Sequence, residues 1–119
     1  PKIEVFDPCG VFSLVMGIFG SEARLAKTKL TFTVLGVHQF QAARPASQIL
    51  LTPYETMAAL PAKLKGDKTR LTMLVVNLVR NALKFSVGGT VRLLAAYDAE
   101  GKHIWVLVRD NGYGITSED

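Results

Sequence analysis

A chain of 119 residues, 49% of them hydrophobic, has the size of a single domain and no room for a second independent core. Its 14 Lys and Arg against 10 Asp and Glu leave a net charge of +4, spread without a run dense enough for a nucleic-acid-binding arm. The lone Cys9 excludes an internal disulfide framework and a zinc site of paired cysteines; it fits a reducing compartment and is expected as a small buried or half-buried residue.

In chain order, Ile3 and Val5 alternate with polar neighbours up to Phe6, enough for a short strand or a linker entering the domain. Asp7 and Pro8 then announce a helix. Asp at the N-cap accepts a bond from a free backbone N–H, and Pro at the first helical position has no donor to waste. Val11, Leu14, Val15, Ile18, Leu25 and Ala26 are expected to line its buried side through about Lys29. The apolar stretch from Cys9 to Gly20 is cut by Ser21, Glu22 and Arg24, well short of the ~20 residues that cross a bilayer. The chain opens on Pro1 without a signal-like region and is expected to be a piece of a longer protein.

Leu30 to Leu35, alternating with Thr31 and Thr33, reads as a strand. Gly36 to Ala62 is an atypical insertion or loop. Within it, Thr52, Pro53 and Glu55 make a capping-box start for a short helix to about Leu60, while His38, Gln39 and Arg44 are expected in a solvated loop. Asp67 caps a second long helix from Lys68 to about Phe85, stopped before Gly88 and Gly89. Thr90 to Tyr97 and His103 to Asp110 follow as an antiparallel hairpin around Asp98, Ala99, Glu100 and Gly101.

Two features carry chemistry. The second long helix has Leu71, Leu74, Val75, Leu78, Ala82 and Phe85 to bury, yet Asn77, Asn81 and Lys84 fall at i, i+4 and i+7 on an adjoining stripe. Buried amides need partners, so two of them one turn apart ask for a polar object facing the helix. An Asn oxygen is a hard donor suited to Mg²⁺, and Lys84 suits phosphate charge. An ordinary exposed polar face accounts for the same residues about as well. In the last strand Ile104, Val106, Val108 and Asp110 share one face while Trp105, Leu107 and Arg109 share the other. A carboxylate ending an apolar face must find a donor, such as an adenine amine, and Gly112 and Gly114 let the backbone approach a ligand or simply make a surface turn.

Taken together, Gly66, Asp67, Arg70 and Leu71 followed by Asn77-Leu78-Val79-Arg80-Asn81-Ala82-Leu83-Lys84-Phe85-Ser86 closely resemble the N box of histidine kinases. Asp110-Asn111-Gly112-Tyr113-Gly114-Ile115 resembles their G1 box. The order, the spacing and the intervening hairpin agree with that family, as does the entry through Phe6-Asp7 into a helix ending Ala26-Lys27. The resemblance covers most of the chain apart from 36–62.

The resemblance implies an α/β two-layer sandwich of the GHKL superfamily, a mixed, mainly antiparallel sheet packed on helices, incomplete at the C-terminus. Residues 1–119 would be the N-terminal part of an ATP-binding domain, with nucleotide between helices and sheet. By motif position Asn81 would coordinate Mg²⁺, Asp110 hold the adenine amine, Gly112 and Gly114 shape the adenine pocket, and Lys84 contact phosphate; Phe85 stands where the family has Tyr or Phe. Asn77 occupies the position where the hydrolysing relatives carry a Glu base for water. An amide cannot abstract a proton, but a neutral imidazole attacks without prior deprotonation, so transfer to a histidine is favoured over hydrolysis.

The implied parent is a sensor histidine kinase of a two-component system: a homodimer using ATP and Mg²⁺, with a response regulator as partner. This segment is expected to be cytoplasmic, without membrane or nucleic-acid contact, and inactive alone. The lid, the second glycine-rich box and the dimerising hairpin with the acceptor histidine are expected elsewhere in the parent, since His38 and His103 match no acceptor motif. Without them, sheet edges and the apolar face of Trp105 and Leu107 are expected to lie uncovered. The competing readings are a degenerate nucleotide-binding or protein-interaction module of the same superfamily, and a hydrolysing ATPase.

Overall fold

The computed structural model describes residues 2–43 and 60–111. Strand β1 (Glu4–Phe6) leads into α1 (Pro8–Leu25), whose start is the expected one. The Asp7 carboxylate accepts from the Cys9 N–H at 3.0 Å, and Pro8 sits in the first turn. Cys9 itself is exposed, contrary to expectation, because the first turn points that position away from the core.

The helix ends at Leu25, short of the expected Lys29. Lys27 turns left-handed at φ 56, and the chain reverses through Lys27 N–H to Arg24 O at 3.0 Å and Thr28 N–H to Ala23 O at 2.8 Å. This is a Schellman ending with lysine in the place usually given to glycine. The buried face is also rotated from the expected one: Val11, Phe12, Val15, Phe19 and Ala23 are inside, while Leu14 (52%), Ile18 (51%) and Leu25 (86%) are exposed. Two large rings decide the rotation, since burying Phe12 and Phe19 outweighs burying smaller aliphatic chains. Phe12 stacks on Phe32 with ring centroids 4.8 Å apart.

The next elements are β2 (Lys29–Val34), α2 (Val37–Ala43), β3 (Leu64–Gly66), α3 (Lys68–Lys84), β4 (Thr90–Asp98) and β5 (His103–Asn111). Among the described residues, β1 and β3 form a small antiparallel sheet, and the main sheet has the order β2-β4-β5, parallel between β2 and β4 and antiparallel between β4 and β5. The architecture is thus the expected α/β arrangement of mixed sheets packed on helices.

Period-two alternation divides the main sheet into two apolar faces. On the inner face, Val91, Leu93 and Ala95 of β4 meet Phe12, Val15 and Phe19 of α1 and Val75, Val79 and Leu83 of α3, with Phe32, Val106 and Val108 packed alongside. The hairpin turn is closed by Asp98, whose Oδ1 accepts from the Glu100 and Gly101 N–H groups at 3.1 and 3.3 Å. A Cβ on Gly101 would come within 2.9 Å of both Asp98 Oδ2 and His103 Nδ1, so a side chain there would have to displace the carboxylate or the ring.

The outer face holds the main departure from expectation. His38 and Gln39, expected in a loop, lie in α2, and Gln39 is buried while His38 is exposed. Phe40 of the same helix packs on Trp105 with centroids 5.6 Å apart, closing a second core of Leu35, Phe40, Leu94 and Ala96 against which Leu107 also packs. The Trp105 and Leu107 face is therefore covered by α2, because Phe40 is the large apolar group within reach of it. Arg44 and the expected short helix from Pro53 lie outside the described residues, apart from Leu60, which is buried in the main core without regular structure.

Phe40→Ala tests this second core. Large-to-small replacement of a buried ring should lower unfolding free energy by about 3–5 kcal/mol with an unchanged denaturant m-value. Emission of Trp105, the sole tryptophan, should shift to the red in the folded variant.

Candidate functional site

Helix α3 is built by two-sided chemistry. Asp67 caps it by accepting from the Arg70 N–H at 3.0 Å, and Thr72 folds its hydroxyl back onto the Lys68 carbonyl at 2.8 Å. Val75, Val79, Ala82 and Leu83 are buried against α1 and the sheet. Asn77, Asn81 and Lys84 are all exposed, on the side turned from that core, as their spacing requires. Among the described residues neither Asn amide is engaged by a hydrogen bond, so both oxygens and both NH₂ groups remain available to a ligand.

The expected apolar set of α3 needs correction. Val75 and Ala82 are buried and Leu71 and Leu78 partly so, but Leu74 (50%) and Phe85 (48%) stand half in solvent beside the Asn stripe. Val79 and Leu83, one turn apart, take the central core positions instead. Lys84 places its Nζ 5.3 Å from the Phe85 ring centroid, a cation–π distance, and sits in the last turn, where the helix dipole favours a positive charge. Arg80, adjoining the stripe, lies 5.9 Å over the Phe19 ring and ties α3 to α1.

The ends of α1 and α3 are joined where the first helix turns back. The Thr28 hydroxyl donates to the Ser86 carbonyl at 3.0 Å, and Gly88 N–H donates to Ala26 O at 3.1 Å from a left-handed φ of 81. Lys29 N–H then bonds Gly89 O at 3.0 Å, leading β2 into register beside β4. Thr28 had no place among the functional candidates; its signal is only a small polar residue between a helix and a strand.

Asp110 lies exposed near the end of β5, paired in register with Val91 of β4. Its neighbours on that face, Val106 and Val108, pack on the core beneath α3. The structure thus sets Asp110 at the end of the sheet's helix-covered face, while Asn77, Asn81 and Lys84 occupy the solvent side of the overlying helix. Gly112 and Gly114, with Tyr113 and Ile115, lie outside the described residues. His38 belongs to α2 on the opposite face of the sheet, and His103 to the start of β5 beside the hairpin turn, so neither joins this group. Among the described residues no group of three or more His, Cys, Asp or Glu could hold a metal ion. No helix among them is long and apolar enough to cross a membrane.

The two long helices share one face of the mixed sheet, with the amide stripe on the second of them. The catalytic domain of histidine kinase ThkA superposes with a TM-score of 0.66 at 17% identity, covering 99% of this chain and 65% of that one. Acinetobacter baumannii histidine kinase AdeS gives 0.63 at 18% identity, covering 99% and 46%. The fold is that of histidine-kinase catalytic domains. Residues 66–119 match the family of histidine kinase-, DNA gyrase B-, and HSP90-like ATPases.

Among curated relatives, Sensor protein GacS of Pseudomonas syringae pv. syringae is 37% identical over 62 residues, 50% of this chain and 7% of that protein. Aerobic respiration control sensor protein ArcB of Escherichia coli (strain K12) is 37% identical over 65 residues, 55% of this chain and 8% of that protein. The chain thus spans less than a tenth of the length of these multidomain sensors.

The cap of α3 gives a pH test. The Arg70 backbone N–H holds the Asp67 carboxyl below its ordinary range. A depressed folded-state pKa contributes stability above the unfolded value and loses it as pH falls through the folded one. The melting temperature of Asp67→Ala should therefore lie below that of the native chain at neutral pH, and the gap should close on acidification below the usual carboxylate range.

Proposed function

We propose that this chain is the nucleotide-holding part of a sensor histidine kinase, supplying ATP with Mg²⁺ for phosphorylation of a protein histidine. The observation that carries the reading is the division of α3: a buried apolar face and, on the solvent side, two unengaged Asn amides and a lysine within the segment that matches the ATPase family. The donor set fits the group. Mg²⁺ prefers oxygen ligands and keeps several waters, so one exposed amide oxygen beside phosphate oxygens suffices to place it.

In this reading Asn81 holds the metal, which supplies charge neutralisation at the phosphates. Lys84 meets phosphate charge as a point cation, and its contact with Phe85 limits where the ammonium swings. Asp110, at the end of β5, accepts from the adenine amino group and so distinguishes adenine from guanine, whose oxo group would repel it. Gly112 and Gly114 allow the backbone to close on the ring. Asn77 orients ligand or water but cannot take a proton, so the chain offers no base for hydrolysis at that position. The receiving histidine lies on another segment of the parent, a response regulator takes the phosphoryl group onward, and residues 1–119 form the N-terminal part of the ATP-binding domain.

In the full-length parent, Asn81→Ala should abolish Mg²⁺-dependent ATP binding without loss of fold, and Asp110→Asn should weaken the preference for ATP over GTP. Calorimetric titration of each variant with both nucleotides reads this directly; unchanged affinities would remove these residues from the site.

Transfer to a separate hairpin makes a second prediction. Radiolabelled ATP incubated with these 119 residues alone should leave no acid-labile phosphate on the chain. Efficient labelling of His38 or His103 would place the acceptor within it instead.

A further inference from the structure

On the outer face of the main sheet, opposite α1 and α3, lies an open cavity of about 390 Å³ lined by Lys29, Thr31, Thr33 and Leu35 of the β2 segment and Thr90, Arg92 and Leu94 of β4. We infer that this cavity is a second ligand site, separate from the nucleotide site, for a small molecule bearing a phosphoryl group.

The register places the donors. Lys29 pairs with Thr90, Thr31 with Arg92 and Thr33 with Leu94, and adjacent strands lie ~4.8 Å apart. Arg92 and Lys29 therefore rise from neighbouring strands two residues apart in register, a diagonal pair on one face, with Thr31, Thr33 and Thr90 also lining the cavity. Among the described residues that line it there is no carboxylate to repel an incoming anion. Arg109 of β5 stands directly opposite Arg92 on the same face.

The donor count selects the ligand. A guanidinium fork, an ammonium and hydroxyls are used more fully by a phosphoryl group, with three oxygens and up to two negative charges, than by a singly charged carboxylate. The volume falls within the ~300–1,000 Å³ of small-molecule pockets, and Leu35 and Leu94 at its other end suit a compact apolar substituent on the phosphate. Asp110, assigned to the nucleotide, belongs to the other face of the same sheet, because its alternate neighbours Val106 and Val108 pack under the helices.

The test is an amide-resolved NMR titration of the chain with inorganic phosphate and with phenyl phosphate. Both are run at constant ionic strength with chelator present, so that no metal supports the nucleotide site. Shifts concentrated at Thr31, Thr33, Thr90 and Arg92 are expected, with phenyl phosphate binding more tightly if the apolar end is used. Equal affinities would assign the cavity to free phosphate. Lys29→Gln with Arg92→Gln, both at exposed positions, should raise Kd at least about tenfold, since each removes a charge-assisted contact. Asn81→Ala should leave these shifts intact whether or not it proves to hold a metal, which separates this site from the proposed function. Shifts that match those from chloride, that persist in the double variant, or that cluster on α3 would overturn the inference.

Discussion

Everything on this chain's helical side depends on the burial of one face of α3. Val75 and Val79 are fully excluded from water, and Ala82 and Leu83 nearly so, against both α1 and β4. Burial of such side chains contributes about 1.5–3 kcal/mol each, which fixes the rotation of the helix about its axis. Once that rotation is set, 3.6-residue periodicity dictates that Asn77, Asn81 and Lys84 face outward together. The stripe is an outcome of core packing, and no contact of its own is needed to hold it. Replacing its amides should therefore cost function before it costs fold.

The same burial explains why the ends of the two long helices are tied. A helix held by its apolar face alone can slide along its axis. Thr28 stops that motion by reaching from the end of α1 to the Ser86 carbonyl just past α3, and the Gly88 and Gly89 bonds extend the connection into the start of β2. Because β2 runs beside β4, the position of α3 is carried into the register of the sheet, and from β4 into β5 and Asp110. The two halves of the candidate site are coupled through backbone hydrogen bonds, with α3 packed on β4 and β5 between them.

Much of this was legible in the residues. Asp7 with Pro8 and Asp67 announced both helix starts, since a carboxylate before an apolar-periodic run satisfies free N–H groups. The alternation in β5 correctly divided Val106 and Val108 from Trp105 and Leu107. The end of α1 was not legible, because Lys27 adopts a left-handed conformation that lysine does not advertise; tertiary bonds from Thr28 hold it there. The rotation of α1 differs from the expected one because Leu14, Ile18 and Leu25 fit a stripe as well as Phe12 and Phe19 do, and the two rings win the core, where Phe12 stacks on Phe32. Helix α2 was missed because Val37–Ala43 is short and has no capping signal. Its stability comes from one ring, Phe40, meeting Trp105 across the sheet.

That helix changes how the sheet is understood. With α2 covering one end of the outer face, both faces of the main sheet are apolar at β4, where Leu93 points one way and Leu94 the other. A strand buried on both sides carries no hydrophobic preference for either face, so its register must be set by its partners. Here β5 supplies the asymmetry. Arg109 and Asp110 are consecutive, so the pleat sends the cation to the outer face beside Arg92 and the carboxylate to the inner face opposite Val91. A slip of one residue would exchange them, setting Asp110 on the outer face and Arg109 at the edge of the helix-covered core. The charges at the end of β5 thus make register a chemical variable, with the carboxylate set on the inner face and the cations on the outer.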